Sequence, residues 1–78
     1  MTVEKKLVAY HLARLNDKNP DVRLKSIQEL QQLGDPDALD RLRAIYENDP
    51  DFAVRRAAQE AGRVIFLRQR RSGDSDRS

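Results

Sequence analysis

One histidine, two pairs of closely spaced aspartates and a line of arginines are the side chains in this sequence best suited to chemistry. His11 stands four residues from Leu7 and four from Leu15. A general base needs a nucleophile or an orienting carboxylate held against it. No Ser, Cys or Asp is set against His11 by spacing, so it reads as a partly buried, hydrogen-bonded structural histidine. A single His and no Cys leave too few ligands for an imidazole or thiolate metal centre. Asp35 with Asp37, and Asp49 with Asp51, have the carboxylate density of a calcium loop. They lack the glycine and the bidentate glutamate that such a loop requires. Helix capping accounts for them without a metal. No glycine-rich phosphate loop is present. The chain is therefore expected to be no enzyme and to carry no cofactor.

The arginines are more informative. On a helix, at about 100° per residue, Arg56, Arg63 and Arg70 fall on one line with Gln59 beside it. Lys25, Gln28 and Gln32 fall on the exposed face of an earlier helix. Either this is a solvated surface, or it is a polar, basic docking face for an acidic protein or for phosphate. Nucleic acid is disfavoured. The net charge is only +2, from 15 basic and 13 acidic residues, and no aromatic interleaves with the arginines. Three or four phosphate contacts would bind weakly and lose affinity steeply with salt.

Four helices must position these residues. Val3, Leu7, Val8, Leu12 and Leu15 make one stripe over Val3 to Leu15. Pro20 opens a second helix over Asp21 to Leu33, with Val22, Ser26, Leu30 and Leu33 on one face and Ile27 at its edge. Gly34 ends it. Asp35 and Pro36 start a third over Pro36 to Glu47, with Ala38, Leu42, Ile45 and Tyr46 inward. The fourth runs from Asp51 to about Arg70, with Val54, Ala57, Ala58, Ala61, Val64 and Ile65 inward. Gly62 interrupts it beside that stripe, where a small residue admits a close helix. Residues 1–71 form the domain. The stretch 72–78 has no apolar residue and is expected to be disordered.

Composition bounds the rest. Seventy-eight residues, 38% apolar and 36% charged, with four aromatics and no Trp, make one small domain with an aliphatic core. A domain this small without disulfides points to an intracellular, cytoplasmic home. No apolar run approaches the ~18 residues of a membrane span.

The pattern also repeats. Asn19-Pro20-Asp21-Val22-Arg23 echoes Asp49-Pro50-Asp51-Phe52-Ala53-Val54-Arg55. Val22 and Val54, Arg23 and Arg55, Ser26 and Ala58, and Leu33 and Ile65 are all related by a shift of 32 residues. Two helices per period of this length signal a helical solenoid. Pro20-Asp21-Val22-Arg23, Leu30-Gln31-Gln32-Leu33-Gly34 and Asp35-Pro36-Asp37-Ala38-Leu39 resemble HEAT repeats, most of all the short prokaryotic type also found in phycobilisome lyases. That resemblance implies an all-α fold: an α-α superhelix of four antiparallel helices in two HEAT-like repeats, stacked right-handed. It gives Asp21, Arg23, Asp51 and Arg55 the structural role of tying neighbouring repeats. It also sets the second helix of each pair on the inner surface.

Stacked repeats cannot bury their apolar faces alone. Phe52, Phe66 and Leu67 have no later repeat to pack on. Phe66 and Leu67 either close over the fourth helix or contact a second copy or a larger protein. The expected function is non-catalytic protein–protein interaction, by a small adaptor or auxiliary subunit of a larger bacterial assembly. Docking would use Lys25, Gln28, Gln32, Arg56, Gln59, Arg63, Phe66, Leu67 and Arg70, with homo-oligomerisation through the apolar ends. The alternatives are an accessory protein of phycobilisome or bilin-lyase type, a weak nucleic-acid-binding module, and a purely structural repeat. The irregular repeats and the exposed Phe66-Leu67 pair argue against a designed form of the last.

Overall fold

A computed structural model describes the backbone of residues 2–77 and the side chains of residues 2–70. Four helices follow one another: α1 (Val3–Arg14), α2 (Pro20–Leu33), α3 (Leu39–Asn48) and α4 (Phe52–Arg77). The sequence places their starts and stops within one or two residues, except at two points. Pro36–Ala38 is a separate 3-10 turn leading into α3. The α4 backbone runs to Arg77, past the end expected near Arg70. The tail expected to be disordered, 72–78, lies outside the residues whose side chains are described.

Short polar side chains set the starts of α1, α2, α4 and the 3-10 turn that leads into α3, whose own first turn follows Ala38 without a side-chain cap. Thr2 Oγ1 accepts the Lys5 N–H at 3.2 Å, and Asn19 Oδ1 accepts the Asp21 N–H at 2.9 Å with Pro20 in the first turn. Asp35 Oδ1 accepts the Asp37 N–H at 2.8 Å. Asp51 Oδ1 accepts those of Ala53 and Val54 at 2.9 and 3.1 Å. Each bond satisfies a donor that the helix cannot satisfy internally. At the end of α2, Gly34 adopts φ 68°, and its N–H donates to the Leu30 carbonyl. Only glycine reaches this left-handed region without strain.

The helices pack as two antiparallel pairs, α1 with α2 and α3 with α4, joined chiefly by α2 against α4. All four contribute to one aliphatic core: Val8, Leu15, Ile27, Leu30, Ala38, Leu42, Val54, Ala58, Ala61 and Ile65. Ile27, expected at the edge of its stripe, is fully buried. The outer parts of two stripes are not covered. Val3 is 74% exposed, and Leu7, Tyr10 and Tyr46 are exposed as well. Among the described residues α1 packs extensively against α2 only, so its stripe has a single neighbour to hide against. No described helix is long and apolar enough to cross a membrane.

Candidate functional site

The joint between the two helix pairs is an ion pair in the core. Arg23 Nε donates to Asp49 Oδ2 at 2.8 Å, and Arg23 Nη2 donates to Asp49 Oδ1 at 3.0 Å. Both side chains are buried, 10% and 4% exposed. Arg23 Nη1 also donates to the carbonyls of Asp17 and Lys18. One guanidinium thus locks the loop before α2 and reaches into the loop before α4. Such a bidentate fork suits Arg and not Lys.

This joint departs in detail from the expected motif. The tie from Arg23 goes to Asp49, not Asp51, because Asp51 is occupied in capping α4. Asp21 is exposed, and its side chain makes no hydrogen bond among the described residues. Arg55 is also exposed, and its Nε donates to the Tyr46 carbonyl at 3.0 Å within its own helix pair.

Three further ties join the pairs. Lys5 Nζ bridges Asp35 Oδ2 at 2.6 Å and Asp37 Oδ2 at 3.0 Å. The Lys5 hydrogen bond, then the Asp37 N–H, hold the Asp35 carboxyl below its usual range. The hydrogen bonds to Asp35 and then Asp37 raise the Lys5 ammonium. Arg41 Nη2 reaches the Leu12 carbonyl and Asn16 Oδ1. Arg68 Nη1 donates to the carbonyls of Gln31 and Gln32, which the end of α2 leaves unpaired, and Gln69 Nε2 donates to that of Gly34. The aspartate pairs are thus spent on caps and cations. No group of three His, Asp or Glu that could hold a metal occurs among the described residues.

Two grooves lie on opposite outer faces. One, of about 260 Å³ between α1 and α2, is lined by Tyr10, His11, Arg14, Lys25, Ser26 and Glu29. His11 sits edge-on to the Tyr10 ring, at 5.0 Å between centroids. Its Nδ1 is buried with no hydrogen-bond partner among the described residues, as is Ser26 Oγ, so the hydrogen bond expected of His11 is not made at that nitrogen. Among the described residues no carboxylate or hydroxyl is hydrogen-bonded to His11.

The other groove, of about 320 Å³, lies between α3 and α4. Leu39, Asp40, Arg43, Tyr46, Gln59, Gly62, Arg63 and Phe66 are among its walls. Gly62 admits no close helix here, since a Cβ built on it meets nothing within 4 Å.

The expected docking residues therefore divide. Lys25 borders the α1–α2 groove, whereas Gln59, Arg63 and Phe66 border the α3–α4 groove. Gln28 and Gln32 are exposed on α2. Arg56, Arg63 and Arg70 are all exposed along α4, with Arg63 paired to Glu60 at 3.2 Å and Arg56 over the Phe52 ring at 5.8 Å, so the expectation that no aromatic lies among the arginines fails at Phe52. Phe52, Phe66 and Leu67 do not close over α4: they are 71%, 52% and 42% exposed. With Tyr46 they give the α3–α4 side four of the seven large exposed apolar side chains among the described residues. Val3, Leu7 and Tyr10 on α1 are the other three, and α2 has none. Sequence reasoning did not single out Asp49, Lys5, Arg41 or Arg68 as ties. The shift of 32 residues, which relates Asp17 to Asp49, was the available signal for the first. The others depend on how the helix pairs stack.

A family model for HEAT repeats matches residues 3–62. No curated protein and no solved structure matches the chain. The match spans all of α1, α2 and α3 and the first part of α4, including both arginine-bearing turns, and the two stacked antiparallel pairs agree with it: the chain belongs to the HEAT repeat family.

Proposed function

We propose that this chain is a non-catalytic docking module, an adaptor or auxiliary subunit that binds an acidic protein surface through the outer face of α4 and the adjoining edge of α3. HEAT repeats generally mediate protein–protein interaction. The observation that carries the choice of face is the coincidence of exposed aromatics with arginines. Tyr46, Phe52, Phe66 and Leu67 share this side with Arg56, Arg63 and Arg70. Aromatic and Arg side chains are enriched where protein interfaces bury their centres. The groove between Tyr46 and Phe66 supplies an apolar floor, and the arginines a cationic rim. Lys25, Gln28 and Gln32 lie on the first helix pair and make at most a secondary contact. The phycobilisome-lyase reading rests on the turn residues alone. It predicts co-purification with pigment proteins.

The test is affinity enrichment with the tagged chain, set against a variant carrying Arg56→Glu, Arg63→Glu and Arg70→Glu and a control carrying Lys25→Glu. The triple variant should lose its bound proteins at unchanged helicity, while the control keeps them. Retention by the triple variant removes the face assignment. Enrichment of nucleic acid instead, with a steep loss in salt, removes the protein-docking reading.

A further inference from the structure

The two outer faces of the repeat pair carry the separated halves of the ion pair that joins the repeats inside. A shift of 32 residues relates Asp17 to Asp49, Asn19 to Asp51 and Arg23 to Arg55, and local geometry supports the equivalence. Asp17 Oδ1 accepts the Asn19 N–H at 2.9 Å, just as Asp49 Oδ1 accepts the Asp51 N–H at 2.9 Å. Asn19 and Asp51 then cap α2 and α4 in turn. In the internal joint, the Arg of the first repeat grips the Asp of the second. Arg55 is the same Arg on the far side of the second repeat. Asp17 is the same Asp on the far side of the first. Both are exposed, and neither forms an ion pair among the described residues.

We infer that a second copy of this chain stacks head to tail on the first, with Asp17 of one copy on Arg55 of the other, in the relation that Asp49 holds to Arg23. The rest of each face fits this use. Exposed Tyr10 on the α1–α2 face, and exposed Tyr46 and Phe66 on the other, offer apolar area to the contact.

The helix positions differ from the internal joint in one informative way. Ile27 and Leu30, buried in the first repeat, become Gln59 and Gly62 in the second. Ala57 and Ala61 correspond to Lys25 and Glu29 in the first. The intermolecular joint is therefore exposed, reversible and salt-sensitive, where the internal ion pair is sealed by buried aliphatic side chains. Because the two contacting faces are unlike, the assembly does not close at a dimer unless its rotation closes a ring.

The experiment uses sedimentation velocity on the purified chain over a concentration series, at low and high salt. It needs no other protein, and Asp17 and Arg55 lie outside the residues on which the partner-docking reading rests, so its failure is distinguishable from the failure of that reading although Tyr46, Gln59 and Phe66 border both contacts. The wild-type chain should grow beyond the monomer with concentration and return to monomer in salt. Asp17→Arg and Arg55→Asp variants, each checked by circular dichroism for retained helix, should each weaken association by at least about tenfold, because each sets like charges against each other. An equimolar mixture of the two variants should associate again, since opposite charges then meet at both kinds of junction. A wild-type chain monomeric at every concentration overturns the inference. So does association that both folded variants retain, or a mixture that stays monomeric while the parent assembles.

Discussion

Asp49→Ala tests the joint on which the fold depends. The substitution leaves Arg23, 10% exposed, without its bidentate carboxylate. Removing one member of a buried pair typically costs about 3–5 kcal/mol, because the remaining charge is left uncompensated. Two features move the expected value within that range. Arg23 Nη1 keeps the carbonyls of Asp17 and Lys18, which lowers it. The hydrogen bond from the Asp51 N–H is also lost, which raises it by about 1 kcal/mol. About 3 kcal/mol is a large share of the roughly 4–12 kcal/mol available to a chain of this length. Urea unfolding followed by circular dichroism at 222 nm should show the midpoint falling by on the order of 2 M. Asp49→Asn keeps an acceptor for the Asp51 N–H and isolates the charge, so it should recover part of the loss. Replacing both partners with apolar residues, Arg23→Met with Asp49→Leu, should recover most of it. An Asp49→Ala unfolding free energy within about 0.5 kcal/mol of the parent would refute the claim that this pair holds the repeats together.

Other perturbations have signs fixed by local geometry. Gly34→Ala forces a side chain into φ 68° and sets its Cβ 2.6 Å from Arg68 Nη1; thermal unfolding should show a loss of about 1 kcal/mol or more. Gly62→Ala has the opposite sign, because the position is helical and the space open, and should gain about 0.8–1 kcal/mol in the same assay. Asp35, lowered by Lys5, contributes stability that is fully present above its unfolded value of about 4 and is lost as the pH falls through its folded value. Lys5, raised, contributes stability present below about pH 10 and lost as the pH rises through its own folded value. Lys5→Ala should therefore flatten both limbs of a stability-against-pH curve; an unchanged acid limb contradicts the pairing seen at 2.6 Å.

Much of the fold was legible because its punctuation is local. Pro20 and Gly34 bound α2, and the capping residues Asn19, Asp35 and Asp51 act within three residues of themselves. Apolar periodicity found the inward faces of α3 and α4, but it reports a face and not the number of helices available to cover it. Val3 and Leu7 obey the period of α1 and are exposed, since α1 has one principal neighbour. The 3-10 turn at Pro36–Ala38 was hidden because proline and aspartate suit the first turn of either helix type. Long-range pairings were the least legible. The repeat motif gives Arg23 a structural role, but its carboxylate stands 26 residues away, and the nearer-matching Asp51 is used as a cap. Arg68 looked like part of a basic final turn. It closes the end of α2 only because α4 continues past Ile65 alongside that helix. The proposed docking residues divided between two grooves for the same reason: a helical wheel gives direction around one axis and cannot say which edge of a stack it meets.

The outer face of α4 is proposed to dock another protein. Photo-crosslinking in the living cell tests it residue by residue. A photoreactive amino acid is placed singly at Gln59, Arg63, Phe66 and, as control positions, Glu4 and Asp21, and adducts are identified by mass spectrometry. Gln59, Arg63 and Phe66 should give discrete adducts with a different protein, separable by mass from adducts between copies of this chain, and the control positions should give none with a different protein. Adducts that are absent, or equally frequent at all five positions, would contradict it.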